Sequence, residues 1–118
     1  MTLRAGAAMG ALLAIAWGCG DGGGETELSE AEARGKTVYL NVCIACHAVD
    51  PNEDGPLGPS VADASLVLLE AKVIRGEYPP GYEPKRAGIT MPKYEYLAEQ
   101  IPDLAAYLAA VRRPAGAP

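Results

Sequence analysis

Between Asn41 and Asp50 the chain reads NVCIACHAVD, which puts Cys43, Cys46 and His47 within five consecutive positions. Two thiols three residues apart on a helical turn face the same way, and an imidazole one residue further on follows at the turn. No other stretch constrains the fold as strongly, because the chain has to close around the point where these three side chains meet.

Three chemistries use such a cluster. A closed structural zinc site needs a fourth protein ligand, but His47 is the only histidine, and the third cysteine, Cys19, lies across a glycine-rich stretch. A dithiol redox pair belongs in a βαβ setting, and no strand pattern longer than a few residues occurs in the sequence. C-x-x-C-H is the attachment signature of c-type haem, in which each thiol adds to a vinyl group and the imidazole becomes the proximal iron ligand. The spacing predicts one covalently bound haem c, with Cys43 and Cys46 as anchors and His47 on the iron, and leaves zinc and the dithiol as alternatives.

A bound apolar group also suits the composition. The 118 residues include no Phe, and the only Trp is Trp17 near the N-terminus. A chain this short buries a modest core and often depends on a metal, a disulfide or a cofactor.

The sixth iron position follows by elimination. Met1 and Met9 belong to the N-terminal apolar segment, so Met91 is the remaining thioether. It precedes Pro92, whose ring stiffens the backbone. A methionine that merely packs on the core is the plain alternative, and Lys or Tyr are the other side chains able to fill the position.

The opening MTLRAGAAMGALLAIAWGC has one basic residue, Arg4, followed by an apolar run from Ala5 to Gly18 that is too short to cross a bilayer alone. It reads as a secretory signal over residues 1–18. Its end, AWGC, resembles the bacterial lipobox, which makes Cys19 the expected lipid attachment site, although Ala16 and Trp17 depart from the usual leucine and small residue. An ordinary cleaved signal or a short uncleaved anchor is the other reading of the segment. The polar, glycine-rich residues 19–28 then form a flexible tether, residues 29–113 the folded domain, and residues 114–118 a frayed tail.

Inside the domain, SEAE offers a capping box between Ser29 and Glu32. Gly35, Val38, Tyr39 and Val42 recur at i, i+3, i+4 and i+7, the stripe of a helix that runs into Cys43. ASLVLLEAKVIRG predicts a short apolar helix closed by Gly76. The proline-rich residues 77–94 predict a long ordered loop. A last helix carries Ile101, Leu104, Leu108 and Val111 on one stripe, with Pro102 in its first turn and Arg112 and Arg113 at its negative end.

In this order, Gly35 and Tyr39, the CxxCH motif, Gly58-Pro59, Met91-Pro92 and Leu104-x-x-Tyr107 resemble a class I (mono-haem) bacterial cytochrome c over about Ser29 to Val111. The resemblance implies an all-α fold of three to five helices wrapped around one covalent haem. It implies that the first and last helices cross at Gly35, with Tyr39 and Tyr107 around the crossing. It also implies a prolyl carbonyl, Pro59 or else Pro56, that accepts a hydrogen bond from the second nitrogen of His47. The family often uses Trp or Tyr at the haem propionates; with no Trp in the domain, Tyr78, Tyr82, Tyr94 and Tyr96 are the substitutes. Lys85, Arg86 and Lys93 flank Met91 as a basic rim that reads either as a docking patch or as solvated charge.

A formal net charge of −5 argues against nucleic acid as a partner. An iron held on both sides by His47 and Met91 has no open position, so the expected role is one-electron transfer without enzymatic turnover. The expected setting is the periplasmic side of a bacterial membrane, as a lipid-anchored monomer that meets respiratory redox proteins. The rival functions are a haem enzyme or ligand sensor with a labile sixth ligand, and a fixed cytochrome c subunit of a larger complex.

Overall fold

The structure is a computed structural model and describes residues 27–116. The expected signal (1–18), Cys19, all but the end of the tether (19–28) and the last two residues of the tail (114–118) lie outside the described residues.

Helix α1 spans Glu30–Val42 and starts on the capping box: Ser29 Oγ accepts from the Glu32 amide while the Glu32 carboxylate accepts from the Ser29 amide, at 3.2 and 2.9 Å. Its α-helical geometry stops one residue before the first thiol, and Cys43–Ala45 form a tighter 3-10 turn. That difference from a helix running straight into Cys43 has a local cause, since the amides of both Cys46 and His47 donate to the Cys43 carbonyl.

Helix α2 begins at Leu66–Leu69, capped by Ser65 Oγ on the Leu68 amide. It widens into a π-helical stretch, Glu70–Arg75, and ends on Gly76 with a left-handed φ of 71°. Only glycine adopts such a C-cap without steric cost. Residues 77–94 form a loop with neither helix nor strand, as the prolines predict. A 3-10 segment, Glu95–Gln100, leads into α3, Ile101–Val111, with Pro102 in the first turn.

Helices α1 and α3 cross at Gly35. A Cβ at that position would overlap the Asp103 carbonyl oxygen and lie 2.8 Å from Tyr107 Cβ, so the missing side chain is what lets the two backbones meet. Tyr39 and Tyr107 are both buried beside the crossing, with ring centroids 5.8 Å apart and a tilt of 49°. Each such aromatic pair contributes about 0.5–1.5 kcal/mol beyond its area. An ion pair, Arg34 Nε to Asp103 Oδ2 at 2.8 Å, braces the same crossing from the surface.

Ile101, Leu104 and Leu108 form the buried stripe of α3, and with Tyr39, Leu69, Val73, Leu97 and Tyr107 they make the core. Val111, on the same stripe, is half-buried. The domain is therefore all-α as expected, with three α-helices and no strands among the described residues. No helix among those residues is long and apolar enough to cross a membrane.

Candidate functional site

The loop from His47 to Ala62 folds back on itself through its backbone. The Cys46 carbonyl accepts from the Leu57 and Gly58 amides at 3.2 and 2.9 Å, Gly55 N donates to Gly58 O at 2.8 Å, and the Pro51 carbonyl accepts from Val61 and Ala62 at 2.8 and 3.0 Å. Gly55 and Gly58 allow this doubling. A Cβ on Gly55 would lie 2.5 Å from the Cys46 carbonyl oxygen, and one on Gly58 would strike the His47 ring.

The His47 imidazole is thereby gripped at its edge and on its face. Nδ1 lies 2.7 Å from the Pro59 carbonyl oxygen. A carbonyl can only accept, so Nδ1 carries the proton and Nε2 keeps its lone pair for a metal. Of the two candidate prolines, it is the carbonyl of Pro59 that reaches the ring. Gly58 is buried against the ring, within 3 Å of three of its atoms for any added Cβ.

The ring opens onto one large cavity, about 1260 Å³ including solvent at its mouth, whose walls include Cys43, Cys46, His47, Pro59 and Met91. Its floor is apolar and comes from the core, with Leu69, Val73, Leu97, Leu104 and Leu108 among its residues. Cys43 and Met91, both half-buried, pack against that core. Burial pushes the Cys43 thiol up to about 11, so it is protonated at neutral pH and behaves as a small apolar side chain.

This geometry answers the fit to a large apolar ring system with a central metal. The donor set offered to one cavity is an imidazole nitrogen, a thioether and two thiols, and the wall facing them is aliphatic and aromatic. Leu57, Tyr78 and Ile89 also line it, yet remain 46, 41 and 60 % exposed; apolar side chains turned toward a shared space are what a bound apolar group would cover. Zinc fits less well, since among the described residues no three His, Cys, Asp or Glu side chains cluster around a point. Cys43 and Cys46 are free thiols with no disulfide between them.

Three of the four tyrosines named from the sequence line the cavity: Tyr78, Tyr82 and Tyr94. Tyr96 lies outside it and is 70 % exposed. Tyr78 and Tyr82 stack at 5.4 Å, and the Lys72 ammonium sits 4.1 Å over the Tyr78 ring, an arrangement that no local sequence signal announces. The basic rim around Met91 is neutralised by partners: Lys85 bonds Asp63 at 2.6 Å and the Ser60 carbonyl at 2.9 Å, Arg86 lies 3.9 Å from Asp54, and Lys93 lies 3.1 Å from Glu95. Asp63 responds to its surroundings in two ways, because burial raises its carboxyl while Lys85 lowers it, and the net effect is downward.

The other departure from expectation is at the end of α3. Arg113 lies beyond the last helical turn, where its guanidinium meets Asp50 at 2.9 Å. Asn52 stands between the two, donating to the Val111 carbonyl and accepting from the Arg113 amide. Long-range pairs of this kind leave no periodicity to read.

A family model described as cytochrome c matches residues 32–112 of the chain. Neither the curated proteins nor the solved structures contain a match.

Proposed function

The chain belongs to the cytochrome c family, a haem-binding electron carrier with covalently attached haem c, and we propose that it is a single-electron shuttle whose haem is closed on both sides by this chain's own ligands. The observation that carries the proposal is the 2.7 Å contact of His47 Nδ1 with the Pro59 carbonyl, in a cavity that His47 shares with Met91.

Bound haem c supplies an iron that alternates between two oxidation states. The chain's residues do the rest. Cys43 and Cys46 would fasten the group by adding their S–H across its two vinyl groups, so that it could not leave without a carbon–sulfur bond being broken. His47 offers Nε2, and its Nδ1–H bond to Pro59 sets the tautomer, holds the ring angle and raises the ligand's basicity. Met91 offers a soft thioether that favours the reduced metal and raises the potential relative to two imidazoles. The aliphatic floor from α2 and α3 would exclude water and so lower the dielectric around the group.

Residues 1–28 support the rest of the proposal: an export signal, Cys19 as a lipid attachment point, and a glycine-rich tether. The domain then works on the periplasmic side of a bacterial membrane and exchanges electrons with respiratory redox proteins.

The test is spectroscopic. The oxidised protein should be low-spin with a near-infrared sulfur-to-iron band, and Met91→Ala should abolish the band. A five-coordinate, high-spin wild type, or prompt carbon monoxide binding by the reduced wild type at neutral pH, would overturn the closed-site reading in favour of a haem enzyme or ligand sensor.

A further inference from the structure

We infer that Asn52 is a positioning residue for the His47 imidazole, acting through the backbone of its loop from the far end of α3. The inference rests on the reading of His47 as the proximal ligand.

Asn52 uses both ends of its side-chain amide on the C-terminus of α3. Nδ2 donates to the Val111 carbonyl at 2.9 Å, and Oδ1 accepts from the Arg113 amide at 2.8 Å. Helix C-termini leave carbonyls without intrahelical partners, so one side chain satisfies an orphan acceptor and the amide of the second residue past the helix together. The same Nδ2 and the Asn52 backbone amide both reach Asp50 Oδ1 at 2.9 Å, which fixes the rotamer of the clamp.

The grip is passed on by backbone hydrogen bonds. Pro51, next to Asn52 and buried, accepts through its carbonyl from the amides of Val61 and Ala62. Ala62 is itself buried, and two residues before Val61 is Pro59, whose carbonyl holds His47 Nδ1. Five hydrogen bonds therefore join α3 to the imidazole: Asn52 to Val111 and Arg113, Pro51 to Val61 and Ala62, Pro59 to His47. The loop has no helix or strand of its own between Cys46 and Leu66, so its register depends on such anchors. The Tyr39 hydroxyl donates to the Ala48 carbonyl at 2.6 Å and anchors the start of the loop from α1; Asn52, four residues on, anchors it from α3.

The experiment uses the reduced, haem-loaded protein and reads the hydrogen-exchange rate of the His47 Nδ1–H by NMR. That rate is expressed as a ratio to the slowest exchanging core amides, so that a merely structural loss moves both and leaves the ratio unchanged. Asn52→Ala should raise the ratio by about tenfold, the factor expected when a net hydrogen bond or two is lost locally. Arg113→Ala removes the guanidinium but keeps both Asn52 bonds to the backbone, and should leave the ratio within about twofold. Arg113→Pro, in the exposed segment past α3, additionally deletes the amide that donates to Asn52, and should raise the ratio above that of Arg113→Ala even if Asn52→Ala does not fold. The midpoint potential should shift in Asn52→Ala and Arg113→Pro and stay at the wild-type value in Arg113→Ala. An unchanged ratio in Asn52→Ala, or equal ratios in the two Arg113 variants, overturns the inference, whereas loss of the low-spin spectrum in the wild type would instead remove the reading of the site on which it rests.

Discussion

Gly35 lies against the Asp103 backbone so closely that an added Cβ would come within 2.5 Å of the Asp103 carbonyl carbon. The contact sets the depth at which α1 and α3 cross, and through α1 it sets where the CxxCH turn meets the core. Gly35→Ala should therefore destabilise the folded protein by about 1–3 kcal/mol, the usual cost of overpacking, although alanine favours a helix by about 1 kcal/mol over glycine. Urea unfolding checks this: the midpoint should fall with the slope unchanged, and a midpoint at or above wild type would mean that the helices separate without cost.

Gly58 plays the corresponding part at the ring. A Cβ there would sit 2.6 Å from His47 Nδ1 and 2.9 Å from Nε2, so Gly58→Ala should turn the imidazole off the Pro59 carbonyl. The haem-loaded variant should show a changed midpoint potential and a reduced low-spin fraction, while Pro56→Ala, at an exposed position, should match wild type. Identical potentials in Gly58→Ala and wild type would show that the ring tolerates the displacement.

Acid should weaken the fold through three carboxylates held below their usual range. Arg34 lowers Asp103 by a hydrogen bond and by its charge; Asn52, through its side chain and then its amide, lowers Asp50; Lys85 lowers Asp63 against the opposing effect of burial. A depressed folded pKa means that the unfolded state takes up protons first, so this stability is complete above about pH 5 and is lost as pH falls through about 4 and below. Thermal melts from pH 7 to pH 3 should show a plateau followed by a fall, and Asp103→Asn should make the fall shallower. An unchanged acid slope in that variant would exclude Asp103 as a contributor.

Tyr39 is buried with its hydroxyl on the Ala48 carbonyl, and burial foremost, then the neighbouring Cys43, pushes its ionisation above the normal tyrosine range. Tyr39→Phe keeps the ring packing on Tyr107 and leaves the half-buried Ala48 carbonyl without this partner, which should cost about 1–3 kcal/mol. Denaturant unfolding measures the loss, and a neutral result would mean that water replaces the hydroxyl.

Removing the attachment points should cost the fold as well as the colour. The cavity's lining includes core residues Leu69, Leu97, Leu104 and Leu108, so a Cys43→Ala/Cys46→Ala chain without haem should lose its cooperative thermal transition and bind hydrophobic dyes. A sharp transition in that chain would show that α1 and α3 suffice without the group between them.

Local features could be read directly from the residues. The capping box at Ser29, the Gly76 C-cap, Pro102 in the first turn of α3 and the stripe Ile101, Leu104, Leu108 each involve neighbours within about four positions, where helix geometry alone decides the contact. CxxCH belongs to the same class, because its spacing is its chemistry.

The tertiary structure decided what lies between distant residues. In sequence Pro59 is the first candidate and Pro56 the alternative; the loop's return through the Pro51 and Cys46 carbonyls brings the Pro59 oxygen to His47. Asp103 sits in the first turn of α3, and nothing along the chain announces that it pairs with Arg34; Arg113 reads as a charge suited to a helix dipole, and the fold places it past the last turn and pairs it with Asp50. The lysines and arginine near Met91 read as a rim, and their carboxylate partners come from other loops or the chain nearby. Hydrogen bonds and ion pairs have no period along a chain, and they depend on which backbones the core brings within 3 Å. By itself the sequence determined the cofactor, the helices and the candidate ligands; closure of the loop onto α3 determined how firmly the imidazole is aimed.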